Sequence, residues 1–453
     1  MVAIYLAGAG VVLFALCIST QKSRKLSSLF VRFVVHYFLI ALEDKFWRLR
    51  LGLPGPLPRN INEIIQNKER FEKILKSQGV IGKNERIVCF RNLAEIKSEP
   101  AKQATSSAIH LEIDKGVSNQ TYDIDMFCKF QTGRGMPFWL QAIRAAAEPG
   151  VCREVDFYNH LSESVPVRTI KPLLALKSPA FNYVLVALQY IDLEGGQARV
   201  INDSTGATLS EVMAIADDIA KVHGRFLGAD DPETSWIPAK RGLEYAQFVE
   251  RFTNKDEKVW THKLWFALKR YFANHQVTLV HGDCRPGNMM FEGTDRDNVE
   301  GVIFADWEAT NVAPIMWDLT YCTTLGWCAN ARREHFEEVL SGYLESLSRE
   351  VTTKDLSLTS DEARLDVALL TLVLGYVSRT VRIMRFWDNQ GNTRPDKVAW
   401  FVRMALAIND LDASMVAEAL RVDEEDIKRV QDHSMAEIRE VLPDKDESNW
   451  AAV

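Results

Sequence analysis

One stretch constrains this chain more than any other: Leu279–Asp306, LVHGDCRPGNMMFEGTDRDNVEGVIFAD. Val277–Val280, just before and into it, is apolar and β-branched and reads as a strand end. His281-Gly282-Asp283 then turns the chain, and Asn288 follows Asp283 by five positions. Two apolar runs, Met289–Phe291 and Val299–Ala305, flank the polar turn Gly293–Asn298, the pattern of a β-hairpin. The second strand ends on Asp306-Trp307-Glu308. A hairpin brings the start of one strand beside the end of the next, so Asn288 and Asp306 are predicted neighbours.

This spacing suits phosphoryl transfer. That reaction needs a carboxylate beside the attacking hydroxyl, to orient it and accept its proton, and oxygen ligands for the Mg²⁺ that bridges the nucleotide phosphates. Asp283 fits the first role; Asn288 and Asp306 fit the second. The protein-kinase pattern likewise places an Asp and an Asn five apart, with a metal-binding Asp after a hairpin. Read separately, HGD and DWE are also ordinary turn and strand-end sequences; Asn288 and Asp306 at these spacings argue against that reading.

The string HGDxxxxN, followed by an apolar strand and DWE, resembles the aminoglycoside phosphotransferase, choline kinase and ecdysteroid-kinase-like group, small-molecule kinases on a protein-kinase-like fold. The resemblance covers roughly Glu85 to Leu420. It implies an α+β, two-lobed fold with an N-lobe antiparallel sheet plus a helix and a mainly helical C-lobe. It implies ATP and Mg²⁺ as cofactors and a small hydroxylated substrate as acceptor. Asp283 is then the catalytic base, Asn288 and Asp306 carry the metal, and His281 braces the loop.

Further residues follow from the same resemblance. Lys129 ends the apolar strand DMFCKF, an unusual place for a lysine unless its ammonium has a partner. In the family such a lysine holds nucleotide phosphates and pairs with a helix glutamate. Val151–Leu161, VCREVDFYNHL, reads as a helix resembling the family's E-x-x-F-Y segment, which makes Glu154 the candidate partner. Arg86–Arg91, Ser107–Ile113 and Tyr122–Phe130 are predicted to form an antiparallel meander. In the family the loop between the first strands covers the phosphates with small residues. Here it would use Ser106 and Ser107, in a run without glycine, and an ordinary hairpin loop is the alternative. Tyr183–Leu188 reads as a buried strand leading into a hinge, where the backbone of Gln189, Tyr190 and Ile191 would hold adenine. Leu209–Leu227 resembles the family helix ending in L-H-A, with His223 structural. Asp318 reads as a helix N-cap or a loop-holding carboxylate. Helical patterns fill Arg332–Leu347, Ser360–Trp387 and Lys397–Leu420.

Some classes are excluded. A net charge of -7 gives no reason to expect nucleic acid. Seven cysteines without a CxxC pair point away from a disulfide framework and towards a reducing compartment. A protein kinase needs a longer activation segment with an A-P-E anchor, which is missing after Asp306. The competing class is a pseudokinase or nucleotide-binding scaffold, favoured by the glycine-poor loop and opposed by the complete Asp283, Asn288 and Asp306 set. Trp307, Trp317, Trp327, Phe386, Trp387 and Trp400 are candidates for an aromatic acceptor pocket, for a quaternary amine or a sterol-like alcohol, or else for core.

The N-terminus adds a membrane reading. Val2–Thr20 carries no charge and as a helix would be roughly 28 Å long, against a bilayer core of about 30 Å. Lys22, Arg24 and Lys25 follow it, which places the remainder of the chain in the cytosol. A cleaved signal peptide and a buried globular helix are the alternatives. Leu29–Leu42 reads as an interfacial helix, or as one packed on the catalytic domain, within a segment from Lys22 to Arg50 of local charge +5. The expected organisation is an anchor at 1–21, a basic amphipathic segment and linker at 22–80, an N-lobe at 81–191, a C-lobe at 192–422 and a charged tail at 423–453.

Overall fold

The structure is a computed structural model, and it describes residues 57–58, 60–97, 104–116, 120–132, 153–177, 183–193, 196, 198–229, 232–237, 262–293, 295–351, 356–380, 394–442 and 450. The segments expected as anchor (Val2–Thr20) and interfacial helix (Leu29–Leu42) lie outside the described residues. Among the described residues no helix is long and apolar enough to cross a membrane. The chain divides into two compact units, Met1–Asn159 with Lys171–Tyr190, and His160–Ile170 with Ile191–Val453.

The first unit is built on an antiparallel sheet of β1 (Arg86–Lys97), β2 (Ala104–Asp114), β3 (Thr121–Thr132), β5 (Pro172–Lys177) and β6 (Tyr183–Gln189). The strand order is β1-β2-β3-β6-β5, so the meander read from sequence is present. Strand alternation decides which side chains meet. Met126, Cys128 and Phe130 of β3 and Ile109, Leu111 and Ile113 of β2 are fully buried on one face. Two helices cover that face: α1 (Ile61–Gln66), capped by Asn60, and α2 (Lys68–Ser77). Ile61, Ile64, Phe71, Ile74 and Leu75 join the same core. The sequence reads Asn60–Ser77 as helical within the segment from 22 to 80, and the structure forms two helices there, separated at Asn67. Lys129 lies between Cys128 and Phe130 and therefore on the opposite face, where α3 (Arg153–His160) brings Glu154.

The second unit is mainly helical and carries two small sheets. One has β4 (Arg168–Thr169), β10 (Gly301–Phe304), β9 (Met289–Glu292) and β7 (Arg199–Val200) in the order β4-β10-β9-β7; the other pairs β8 (Val277–Val280) with β11 (Asn311–Pro314). The helices are α4 (Leu209–Arg225), α5 (His262–Phe272), α6 (Trp317–Leu325), α7 (Ala329–Glu350), α8 (Ser360–Thr380), α9 (Pro395–Asn409), α10 (Ala413–Leu420) and α11 (Glu424–Val441). Eight of the nine residues of α6, all but Tyr321, are buried. Two of its threonines satisfy themselves by back-bonding, Thr320 to the Met316 carbonyl and Thr323 to that of Leu319. The single helix predicted over Lys397–Leu420 is two helices. Asp412 accepts from the N–H groups of Ser414 and Met415 and starts α10 afresh. The charged tail forms α11, whose Ile438 packs against Val402, Ala405 and Leu406 of α9.

Helix α4 is tied to the β9–β10 hairpin by a buried carboxylate. Thr208 and Glu211 form a reciprocal capping box. Glu211 Oε2 also accepts from Arg296 Nη2 at 2.7 Å, and Oε1 is paired with Arg199. Arg296 sits in the hairpin turn, so the tip of the hairpin is fixed to the start of α4. Burial raises the pKa of Glu211, but the bonds from Arg296, the Thr208 N–H and Arg199 outweigh it and hold the carboxyl below its usual value. A carboxyl depressed in the folded state stabilises above its unfolded value of about 4.3, and that stability disappears as pH falls through the folded value. Glu211→Gln is therefore expected to cost about 1.5–3 kcal/mol at pH 7, with the gap from wild type closing below pH ~4, in urea melts across pH.

Candidate active site

Strand β8 delivers the chain to His281, and a buried carboxylate fixes the loop beyond it. Asp318 of α6 is 1% exposed. Its Oδ2 accepts from the His281 N–H at 2.7 Å and its Oδ1 from the Gly282 N–H at 2.9 Å. His223 Nε2 lies 3.2 Å from the same Oδ2, and His223 Nδ1 lies 2.6 Å from the Tyr343 hydroxyl. Asp318 thus holds the loop and is not an N-cap, since it lies inside α6 behind Met316. His223 belongs to this buried chain and is structural, as the sequence suggested. Gly282 has φ +85, and the Ala309 carbonyl occupies the place a Cβ would need, so only glycine fits the turn.

His281 braces the loop from within. Its Nδ1 accepts from the Asp283 N–H at 3.3 Å, so Nε2 is the nitrogen that donates to the Ala305 carbonyl at 2.8 Å. Its ring lies 4.6 Å from that of Trp307. Every polar atom of the imidazole is committed to the backbone, which gives His281 a supporting place.

The Asp283 carboxylate is surrounded by donors. Asn288 Nδ2 donates to Asp283 Oδ2 at 2.8 Å and to its backbone carbonyl at 2.9 Å. Tyr321 of α6 donates its hydroxyl to the same carboxylate; burial and the neighbouring Asp283 push the phenol well above its ordinary pKa. Arg285 Nε stands 3.4 Å from Oδ2. With Nδ2 spent on Asp283, the Asn288 side chain has one atom able to ligate a cation, Oδ1. The adjacent Cys284 has no exposed surface, and burial drives its thiol far above the range of a nucleophile.

The hairpin forms with Phe304 opposite Met289. One step further, the Ala305 N–H donates to the Asn288 carbonyl at 3.0 Å. Asp306 comes next, in the left-handed conformation at φ 60, ψ 54. The structure therefore brings Asp283, Asn288 and the residue bearing Asp306 together at the base of one hairpin.

In the first unit Lys129 Nζ meets Glu154 Oε2 at 2.8 Å. Ser106 and Ser107 do not lie in a loop. Both belong to β2, with Ser106 opposite Lys129 and Ser107 opposite Cys128. Pairing with β3 overrides the turn-like composition of the run, and Ser107 is buried. At the expected hinge, the Gln189 N–H donates to the Lys171 carbonyl at 2.8 Å and the Tyr190 N–H to that of Asp125 at 3.1 Å. Those two donors are committed to the protein's own backbone and are not available to adenine; Ile191 begins the second unit. Trp307, Trp317, Trp327 and Trp400 are all buried. Trp317 Nε1 donates to the Gly282 carbonyl, and the Trp400 ring is faced by Lys397 and Arg285. These four are core and loop supports, as the second of the two readings has it; Phe386 and Trp387 lie outside the described residues.

Sequence reasoning missed Asp203, Tyr321 and Arg285. Asp203 accepts the Gly287 N–H at 3.0 Å and pairs with Arg285 Nη1. Arg285, two positions after Asp283, was the available signal; Asp203 and Tyr321 had none nearby in sequence.

A family model described as "Phosphotransferase enzyme family" matches residues 110–352. The chain belongs to that family. By that membership it is a phosphotransferase. Among solved structures, the GDP complex of aminoglycoside 2'-phosphotransferase-IIIa is 14% identical with a TM-score of 0.39, over 80% of this chain and 99% of that one. A choline/ethanolamine kinase family protein from Mesorhizobium loti is 12% identical with a TM-score of 0.34, over 84% and 97%. A microcompartment-associated aminopropanol kinase is 12% identical with a TM-score of 0.37, over 79% and 99%. No curated protein matches the chain.

The Lys129–Glu154 contact is mostly buried, at 19% and 8% side-chain exposure. In a double-mutant cycle of Lys129→Ala and Glu154→Ala, urea unfolding is expected to show a coupling of about 0.5–3 kcal/mol. Simple additivity would mean that the two side chains do not meet.

Proposed function

We propose that this phosphotransferase moves the γ-phosphoryl group of ATP to a hydroxyl of a small molecule, in a Mg²⁺-dependent reaction, with its catalytic domain tethered at the cytosolic face of a membrane. The observation that carries the chemical part is the gathering of Asp283, Asn288 and Asp306 at one loop and hairpin base.

In this reading Asp283 receives the acceptor hydroxyl. The Asn288 and Tyr321 donors fix the carboxylate's direction, so the hydroxyl is aligned before it reacts. The proton leaves the hydroxyl for Asp283 as the phosphoryl group is transferred. Asn288 through Oδ1 and Asp306 through its carboxylate are the hard oxygen donors that suit Mg²⁺. When bound, the ion neutralises charge on the phosphate oxygens. Lys129, positioned by Glu154, takes the role the family resemblance gives it, holding nucleotide phosphates. His281 holds the loop in shape. The acceptor is found by incubating the protein with ATP and a cell metabolite extract and searching for a mass gain of one phosphoryl group. Wild type is expected to produce such a species only with Mg²⁺. Asp306→Asn is expected to lower its formation by about 10²-fold or more while leaving the melting profile unchanged. Full activity of this variant across a Mg²⁺ titration would remove Asp306 from the metal site.

The tether rests on Val2–Thr20 and the basic residues behind it. An arginine near the centre of a spanning helix costs about 2.5–3.5 kcal/mol. Ala9→Arg with Val12→Arg is expected to release much of the protein from membranes, and high salt to release more by screening the +5 segment. Protease added outside sealed microsomes is expected to digest everything after about Lys22. Protection of the catalytic domain would reverse the topology and exclude the cytosolic reading.

A further inference from the structure

Arg285 lies between two carboxylates and treats them unequally. Its Nη1 is tightly ion-paired with Asp203 Oδ2. Its Nε stands 3.4 Å from Asp283 Oδ2, at the weak end of hydrogen bonding. Side-chain exposure is 13% for Arg285 and 9% for Asp203, so the pair sits where charges attract strongly. A guanidinium beside a lone carboxylate closes into a two-bond fork that occupies both oxygens. Such a fork on Asp283, added to the bonds from Asn288 and Tyr321, would fill the carboxylate the acceptor hydroxyl must reach.

Asp203 is held firmly enough to prevent this. The Gly287 N–H donates to its Oδ1 at 3.0 Å, and its carboxylate fills the space a Cβ on Gly287 would need. Arg403 of α9 has no exposed surface. Its Nη1 donates to the Asp203 carbonyl at 2.6 Å and to the Leu325 carbonyl at 3.1 Å, and its Nη2 to the Ser204 carbonyl at 3.2 Å. Trp400 lies 4.6 Å from the Arg285 guanidinium and supports its plane.

We propose that Asp203 is a positioning residue that draws Arg285 away from Asp283 and so keeps the catalytic carboxylate open to the acceptor hydroxyl. The proposal rests on the reading of Asp283 as the group that meets that hydroxyl. Asp203 would act through Arg285 and touch no substrate.

Asp203→Asn tests it in the full chain, because the amide keeps an acceptor for the Gly287 N–H but loses the charge. Its crystal structure is expected to show Arg285 closed on Asp283 with two hydrogen bonds. With MgATP and water as acceptor, kcat is expected to fall on the order of ten-fold, while KM for ATP changes by less than about two-fold. The double variant Asp203→Asn, Arg285→Gln is expected to recover activity above the single variant, which a purely structural role for the ion pair does not predict. An unmoved Arg285, or a double variant no more active than the single one, overturns the proposal. Should Asp203→Asn fail to fold, Arg285→Lys decides: the ammonium reaches one carboxylate, and finding it on Asp283 instead of Asp203 is equally fatal. Asp283→Ala separates the two readings. If it retains wild-type turnover, the assignment of Asp283 fails, while the position of Arg285 in the Asp203→Asn crystals still judges the pairing.

Discussion

The loop that carries Asp283 depends on one buried charge. Asp318 is taken out of water on α6, where an uncompensated carboxylate is very costly. Its donors are the backbone N–H groups of His281 and Gly282 and the His223 ring. Satisfying the carboxylate therefore dictates the path of the loop. With both N–H groups turned towards α6, Gly282 must take a left-handed conformation and His281 must fold its ring back under Asp283. The direction of the Asp283 side chain is in this sense a consequence of where α6 lies.

What the sequence made legible was local. Asp283, Asn288 and the hairpin strands are separated by fixed short spacings, and antiparallel pairing turns such spacings into neighbours with little freedom. Lys129 was visible for a different reason: a charge inside an apolar strand demands a partner, and α3 supplies Glu154. Residues that act across long separations left no such trace. Asp203 and Tyr321 reach Asp283 or its loop only because β7, α4 and α6 pack as they do. Tyr343, which completes the chain through His223, comes from the middle of α7.

The misreadings have physical causes of the same kind. Ala104, Thr105, Ser106 and Ser107 look like a loop because small polar residues are common in turns. Eleven cross-strand partners along β2 and β3 outweigh that preference. Gln189 and Tyr190 were assigned to adenine through their backbone; the sheet has claimed both N–H groups, which leaves only their carbonyls for that role. The long helix over Lys397–Leu420 satisfied the periodicity on both sides of Asp412. Only the competition between helix continuation and side-chain capping at that residue decides against it.

The β9–β10 hairpin is fastened at both ends, by the Ala305–Asn288 backbone bond at its base and by Arg296 on Glu211 at its tip. Mechanically it is a short beam clamped at each support. A beam held in this way resists bending, and it can only tilt if α4 moves with it. The compliance of the two oxygen donors at its base is then set by the stiffness of the α4 anchorage and not by the flexibility of the turn. Thermal motion would change the pair's common orientation more readily than its internal separation.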